Sequence, residues 1–530
     1  MNTNPKVLVI GLDGAAWRLI ESWSNQGRLK NFEKIMNAGV YGKLKSTIPP
    51  ISPPAWASVV TGVNPGKHSV FDFFERTDVK EGGERRDYPI SSRSIRAKKL
   101  WEYMDEYNKQ SIIVNFPLMY PPERIKGITI SGFITPNRKT FTYPEGLSKE
   151  LENKGYNVEI NEDDLFKLLH SDKEKLFRRF IEIMDKRAEI TMDLMNKYDW
   201  EFFMVVFGES DRIQHYFFDN EMLLFECYKK LDDVVGKFIE LVDDDTLILI
   251  VSDHGFSRIY KYFYINTWFK NKGLLFIEEA KRSKKLLSEI GLSRDKIISL
   301  LERVRAKKLI EFIPGKIGRL IPDSILRLSE VDMSKTKAHC VSAYGYIDVD
   351  IPTSNGEEYE ALRNHIIKEL YEVRDPENGN KVIEKVFKKE DLYSDPYVKT
   401  APDLVVKTKE SYFLHYKFHE NKMFEFVENA VGLTKRTGEH EENGILLAVG
   451  PNIKKGVEIK DATVYDVTPT ILHIFGIPIP SYIDGRVLDA LFEQKSELAK
   501  RKIEYQKIDA EKERERVKSK IKKLRGKGKI

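Results

Sequence analysis

The stretch Thr246-Leu-Ile-Leu-Ile-Val-Ser-Asp-His-Gly-Phe256 decides the fold. Its apolar run does not alternate with polar residues, which is the pattern of a strand buried on both faces. The run ends in Ser252-Asp253-His254-Gly255. Adjacent Asp and His point to opposite faces of a regular strand, so both serve one cation only where the strand breaks. Gly255 permits that break.

Working outward, similar runs recur. Lys6-Val-Leu-Val-Ile10, Ser111-Ile-Ile-Val114 and Phe202-Phe-Met-Val-Val-Phe207 precede it, and Leu404-Val-Val406 and Gly444-Ile-Leu-Leu-Ala-Val449 follow. Longer amphipathic segments separate them. Strands of this kind between helices predict an α/β/α sandwich with a mostly parallel central sheet, whose ligands gather at the strands' carboxyl ends. A helical stretch is expected from about Tyr143 to Tyr198. Between Tyr260 and Val331 the strand signal disappears, and Lys281-Arg-Ser-Lys-Lys285 and Arg303-Val-Arg-Ala-Lys-Lys308 make the region basic. The expected division is a catalytic core over 1–259 and 332–490, a helical cap insertion over 260–331, and a charged helical tail over 491–530.

Composition sets limits. The 530 residues, 41% of them apolar, can bury a large core, and two cysteines, Cys227 and Cys340, exclude a disulfide scaffold or cysteine-rich zinc module. No window reaches the ~20 apolar residues of a membrane span, and the first apolar run is too short for a signal peptide, so a soluble cytoplasmic protein is expected. The net charge is +5, but Lys500–Ile530 holds 14 basic against 5 acidic residues. The body is therefore mildly acidic, and specific nucleic-acid recognition is not expected of it. The tail reads as a solvated charged helix; contact with an acidic partner, RNA or a membrane surface, is the alternative.

Four further sites fall near strand ends. Gly11-Leu-Asp13-Gly14 follows the first strand; alone it is an ordinary strand-to-turn aspartate. In Pro49-Pro-Ile-Ser-Pro-Pro-Ala-Trp-Ala-Ser-Val-Val-Thr-Gly62 the prolines suit a first helical turn, which places Ser52 at the N-cap. A serine there is either a cap or an exposed hydroxyl set against a positive helix end, the geometry of an oxygen that receives a phosphoryl group. Asp211 and His215, at i and i+4, share a helical face and form either a surface pair or two ligands. His440 precedes the Gly444 strand and says little by itself. Together the sites supply three Asp, three His and one hydroxyl. Such oxygen and nitrogen donors suit two divalent ions, zinc first and manganese second, which would clamp the oxygens of an in-line displacement at phosphorus.

With these residues in order, and with Tyr465-Asp-Val-Thr-Pro-Thr-Ile-Leu-His473, Gly476-Ile-Pro478 and Asp484-Gly-Arg486 behind them, the chain resembles the type I phosphodiesterase/nucleotide pyrophosphatase family of the alkaline phosphatase superfamily over roughly 5–490. The resemblance implies an alkaline-phosphatase-like fold and a small phosphoester or pyrophosphate substrate. It makes Ser52 the nucleophile and a metal ligand, places Asp13, Asp253 and His254 on the metal that activates it, and gives Asp211, His215 and His440 to a second. It further implies a covalent phosphoseryl intermediate hydrolysed by water from the opposite side. Two departures stand out. Many diesterases of the family carry Thr where this chain has Ser52. The family's His-Gly-Ile-x-x-Asn stretch, whose Asn binds a phosphate oxygen, reads His68-Ser-Val-Phe-Asp-Phe-Phe74 here. Lys67 and Asp72 are then the pocket-lining candidates, or residues of a surface loop. His170, His365, His415 and His419 are expected at the surface, and His473 in the buried packing motif.

The leading expectation is thus a two-metal hydrolase of phosphodiesters or pyrophosphates. A phosphomonoesterase or phosphomutase of the same superfamily is the alternative, and it would need a cationic clamp that no arginine motif announces. The last is a non-catalytic scaffold whose basic tail binds RNA or membrane.

Overall fold

The computed structural model describes residues 5–76, 88–136, 140–278, 325–326, 331–351, 355–394, 396–419, 422–430 and 436–507. Both basic clusters of the expected cap and the last part of the tail lie outside these residues.

The centre is a nine-stranded sheet in the order Val457–Thr463, Val40–Lys45, Asn443–Val449, Thr246–Val251, Lys6–Leu12, Phe202–Phe207, Ser111–Phe116, Gly127–Ser131, Thr142–Tyr143. The strands from Thr246–Val251 through Gly127–Ser131 are all parallel, and Asn443–Val449 enters antiparallel between two neighbours. Alternation along Lys6–Leu12 shows why its apolar run is continuous. Leu8, Ile10 and Leu12 join one core with helices such as Lys173–Lys197 and Glu221–Leu241, whereas Val7 and Val9 face the other core with Trp56, Val59 and Val60. Two buried faces leave no position for a polar residue until the strand ends. The helices Leu147–Asn153, Glu162–Ser171 and Lys173–Lys197 occupy the expected helical stretch.

Three expectations are corrected. Leu404–Thr408 belongs to a separate antiparallel sheet with Tyr346–Val349, Ala338–Cys340 and Ile383–Lys388, not to the central sheet. Its apolar side packs with helix Gly356–Tyr371 in a third hydrophobic cluster, and a short apolar run fits either environment. Residue 260 falls inside the strand Gly255–Tyr264, which is held on both sides by Ser411–His415 and Phe424–Phe426, so polar side chains facing out do not prevent a strand there. Finally, residues 491–507 are not one helix. A single turn, Glu497–Lys500, is followed by Tyr505–Gln506, which pairs with Ile479–Pro480. Among the described residues no helix is long and apolar enough to cross a membrane.

Candidate functional site

Three neighbouring strands, Thr246–Val251, Lys6–Leu12 and Phe202–Phe207, the helix after Val40–Lys45 and the segment before Asn443–Val449 bring the expected residues together. Asp13 extends the strand Lys6–Leu12, with its N–H on the Phe207 carbonyl (3.0 Å) and its carbonyl accepting from Ser210 Oγ (2.7 Å). Gly14 turns the chain at φ 69°, and its N–H donates to Asp253 Oδ1 (3.1 Å). A Cβ on Gly14 would lie 2.8 Å from the Phe256 ring, so glycine is required both by the backbone and by the space. Gln214 Nε2 holds the Gly14 carbonyl (2.8 Å), and Tyr228 OH donates to Gln214 Oε1 (2.8 Å).

Ser52 is the first residue of helix Ser52–Thr61, one place inside its expected N-cap position, which Ile51 takes. The difference matters chemically. The Ser52 hydroxyl caps nothing; Oγ donates towards Asp13 Oδ1 (3.4 Å) and lies 3.0 Å from His254 Nε2. One turn on, Trp56 Nε1 donates to the other Asp13 oxygen (2.9 Å). Ser52 is only 6% exposed.

Asp211 and His215 lie on the helix Glu209–Phe217 and meet His440 from the strand Gly438–Glu441. His440 Nε2 is 3.1 Å from Asp211 Oδ1 and 3.2 Å from His215 Nε2, and its ring stacks on His254 at 3.7 Å between centroids. Each histidine has Nδ1 against a backbone carbonyl: His215 on Gly438 (3.1 Å), His254 on Gly255 (3.0 Å), His440 on Pro50 (2.9 Å). A carbonyl only accepts, so each Nδ1 carries a proton, and in the neutral ring Nε2 turns a lone pair inward.

These contacts test whether divalent cations fit. Two lone pairs facing each other at 3.2 Å repel unless a cation or proton lies between them. Asp253 Oδ2 is buried and accepts no hydrogen bond. Three sets of donor atoms, Asp13/Asp253/His254, Asp211/His254/His440 and His215/Glu439/His440, each converge within 4.8 Å. The electrostatics agree. Burial, then the charges of Asp253 and Asp211, raise the Asp13 pKa well above the carboxylate range, and burial foremost raises Asp253 to about 7. Burial, with His440 beside it, pushes His254 well below its usual value. Burial also works against ionisation of Asp211, yet His215 and His440 hold it well below the usual range. Against the effect of burial, Asp211 and Glu439 in turn raise His440 above its usual value. Carboxylates and imidazoles crowded in a dry pocket are a set that divalent ions relieve.

The expected binding residues fare differently. Lys67, on the short helix Pro65–His68, pairs with Asp484 through Nζ and donates to the Tyr482 carbonyl (2.8 Å), tying that helix to the turn at 484; it is not among the residues lining the cavity. Asp72 accepts from the N–H of Phe73 (2.7 Å), and it is Phe73 that lines the cavity. The cavity, about 190 Å³, contains Asp13, Ser52, Asp211, His215 and His440, and also residues that no motif announced: Arg212, Arg436, Tyr344 and Phe133. Glu439, beside His440, was likewise missed, although Gly438-Glu439-His440 sits in a conspicuous strand-end position. His170 and His415, expected at the surface, are buried, while His473 is buried as its motif implies.

Carboxylates, imidazoles and one hydroxyl thus converge at the strand ends of an alkaline-phosphatase-like α/β/α sheet. The chain belongs to the type I phosphodiesterase/nucleotide pyrophosphatase family, which it matches over residues 7–441. Three solved structures show the same fold at low identity. Human ectonucleotide pyrophosphatase/phosphodiesterase 5 is 13% identical, with 89% of this chain and 95% of that one covered (TM-score 0.50). A mutant of the alkaline phosphatase PafA is 14% identical, with 92% and 99% covered (TM-score 0.53). Phosphonoacetate hydrolase from Sinorhizobium meliloti, in complex with phosphonoformate, is 12% identical, with 88% and 94% covered (TM-score 0.52). No curated protein matches the chain by sequence.

Proposed function

We propose that the protein hydrolyses phosphodiesters or pyrophosphates with two divalent cations, zinc or manganese, and with Ser52 as nucleophile. The observation that supports this most is the Ser52 hydroxyl, released from capping and held between Asp13 Oδ1 and His254 Nε2. Asp13, Asp253 and His254 would hold the cation next to Ser52, and Asp211, His215 and His440 the other, with Glu439 as a further donor. When bound, such cations lower the pKa of a coordinated hydroxyl or water and neutralise charge on the phosphoryl oxygens.

The chain's own residues supply the rest. Trp56 and Ser210 hold Asp13 from two sides, and the peptide groups of the first helical turn bring positive potential to Ser52. Ser52 Oγ bonds to phosphorus as the bond to the leaving oxygen breaks, giving a phosphoseryl enzyme and an alcohol or phosphate. Water then displaces Ser52 from the opposite side, restoring the hydroxyl and releasing the product. Burial around Ser52 keeps bulk water from competing with that order of events.

The test is turnover of bis(p-nitrophenyl) phosphate and p-nitrophenyl phosphate by the zinc- or manganese-loaded protein, with Ser52→Ala as control. The reading expects diester turnover that the variant loses while still binding metal. Diester turnover surviving in Ser52→Ala would refute it. Arg212 and Arg436 in the cavity favour a second reading, a phosphomonoesterase or phosphomutase, which monoester preference in the same assay would select.

A further inference from the structure

Three arginines line the cavity, and they are not equivalent. Arg187 has four of its five N–H donors engaged: Nε and Nη2 donate to Glu209 Oε1 (3.1 and 2.6 Å), Nη1 to Tyr156 OH (2.8 Å), and Nη2 also to the Val158 carbonyl (3.0 Å). Arg212 and Arg436 differ. Among the described residues, Arg212 pairs with Glu159 alone and Arg436 with Glu439 alone, the latter at 2.6 Å. A guanidinium carries five N–H donors in a fixed fork, so one carboxylate leaves donors to spare. Both side chains are partly exposed, at 21% and 31%, and both line the cavity that contains Ser52.

Their orientation is preset. Arg212 lies over the Phe133 ring (4.3 Å to its centre), and Phe133 meets Phe73 edge-on (5.7 Å). Phe73 leads on to Tyr344, which stacks on His440. An aromatic wall thus runs from the candidate metal ligands to the Arg212 guanidinium. A cation fixed by a ring and one carboxylate loses little freedom when an anion arrives. Arg212 lines the same cavity as Ser52 and Asp211, so its charge lies beside the proposed phosphoryl site rather than at a remote surface.

We infer that Arg212 and Arg436 form a receptor for a second negative charge on the substrate, beyond the single charge of a simple diester, with Phe73, Phe133 and Tyr344 receiving the organic group. This rests on the proposed active site around Ser52. The second charge has two possible sources: a terminal phosphate that carries both charges on one phosphorus, or a diphosphate that carries one on each.

The test is calorimetric titration of metal-loaded Ser52→Ala protein with phenyl phosphate, methyl phenyl phosphate and P1-methyl P2-phenyl diphosphate, repeated with Arg212→Gln or Arg436→Gln added. The singly charged diester is expected to bind about 10-fold or more weakly than at least one doubly charged ligand, the scale of a charge-assisted hydrogen bond. Each Gln substitution should shrink that ratio, and Arg→Lys should retain part of it. Preference for phenyl phosphate assigns a terminal phosphate; preference for the diphosphate assigns a pyrophosphate. A ratio near one in the parent, or one unmoved by both Gln substitutions, overturns the inference. Far-UV circular dichroism of each variant excludes misfolding as the cause of a lost ratio. Absence of turnover in the Ser52-intact protein would refute the functional reading separately, while the binding ratio would still decide the role of the arginines.

Discussion

Replacing Arg187 by Met should be among the most destabilising single changes in the core, although Arg187 touches no candidate metal ligand. Arg187 is 1% exposed and Glu209 4%. Burial disfavours the Arg187 charge, but Glu209 and Tyr156 hold its pKa above the ordinary value. Met fills much of the same volume and removes only the charge and its donors. Glu209 is left as a buried carboxylate whose Oε2 already has no partner. Breaking a buried pair from one side costs about 3–5 kcal/mol, a large part of the ~5–15 kcal/mol that holds a domain together. Glu209 opens the helix that carries Asp211 and His215, so the cost should fall on the site as well. Urea unfolding followed by circular dichroism should show the transition shifted to lower urea by that amount. The double variant Arg187→Met/Glu209→Leu should recover most of it, because no charge then remains buried. A single variant within about 0.5 kcal/mol of the parent, the scatter of ordinary surface substitutions, would refute the reasoning.

Other expectations follow from single contacts. Trp56→Phe removes the hydrogen bond to Asp13 Oδ2 and should weaken metal binding by about 10- to 100-fold in a competition titration, with the fold intact. Gly14→Ala meets both a left-handed backbone and the Phe256 ring, and should lower stability by about 1–3 kcal/mol in the same urea assay. Lys261 donates to both oxygens of Asp375 (2.8 and 3.0 Å) and, against the effect of burial, holds that carboxyl below its usual range. A lowered folded pKa stabilises at pH values above the unfolded carboxylate's, about 3.9, and the gain disappears as pH falls through the folded value. Asp375→Asn should therefore lower the urea midpoint at pH 7 and change it much less near pH 3.

The central sheet was legible because burial on both faces forces unbroken apolar strands, and Thr246–Val251 and Phe202–Phe207 read directly as such. The donor residues were legible for the complementary reason: Asp13 directly follows Lys6–Leu12, and Asp253 and His254 come one residue beyond Thr246–Val251, where the chain reaches the crevice. Leu404–Thr408 was assigned to the wrong sheet because three apolar residues carry no information about their neighbours. Ser52 was placed one position early, since two following prolines locate a first turn without fixing which residue caps it. Lys67 was misplaced because its partner, Asp484, lies 417 residues away in sequence. Arg212, Arg436, Phe73 and Tyr344 come from separate segments and converge only in the folded chain, so no local spacing announces them.

Covalent attachment of Ser52 to the substrate's phosphorus is detected by acid quenching during turnover of bis(p-nitrophenyl) phosphate, followed by peptide mass spectrometry. An esterified phosphoryl group is expected on the peptide containing Ser52, and none in Ser52→Ala. Turnover with no such adduct at any quench time, and undiminished in Ser52→Ala, would contradict that attachment.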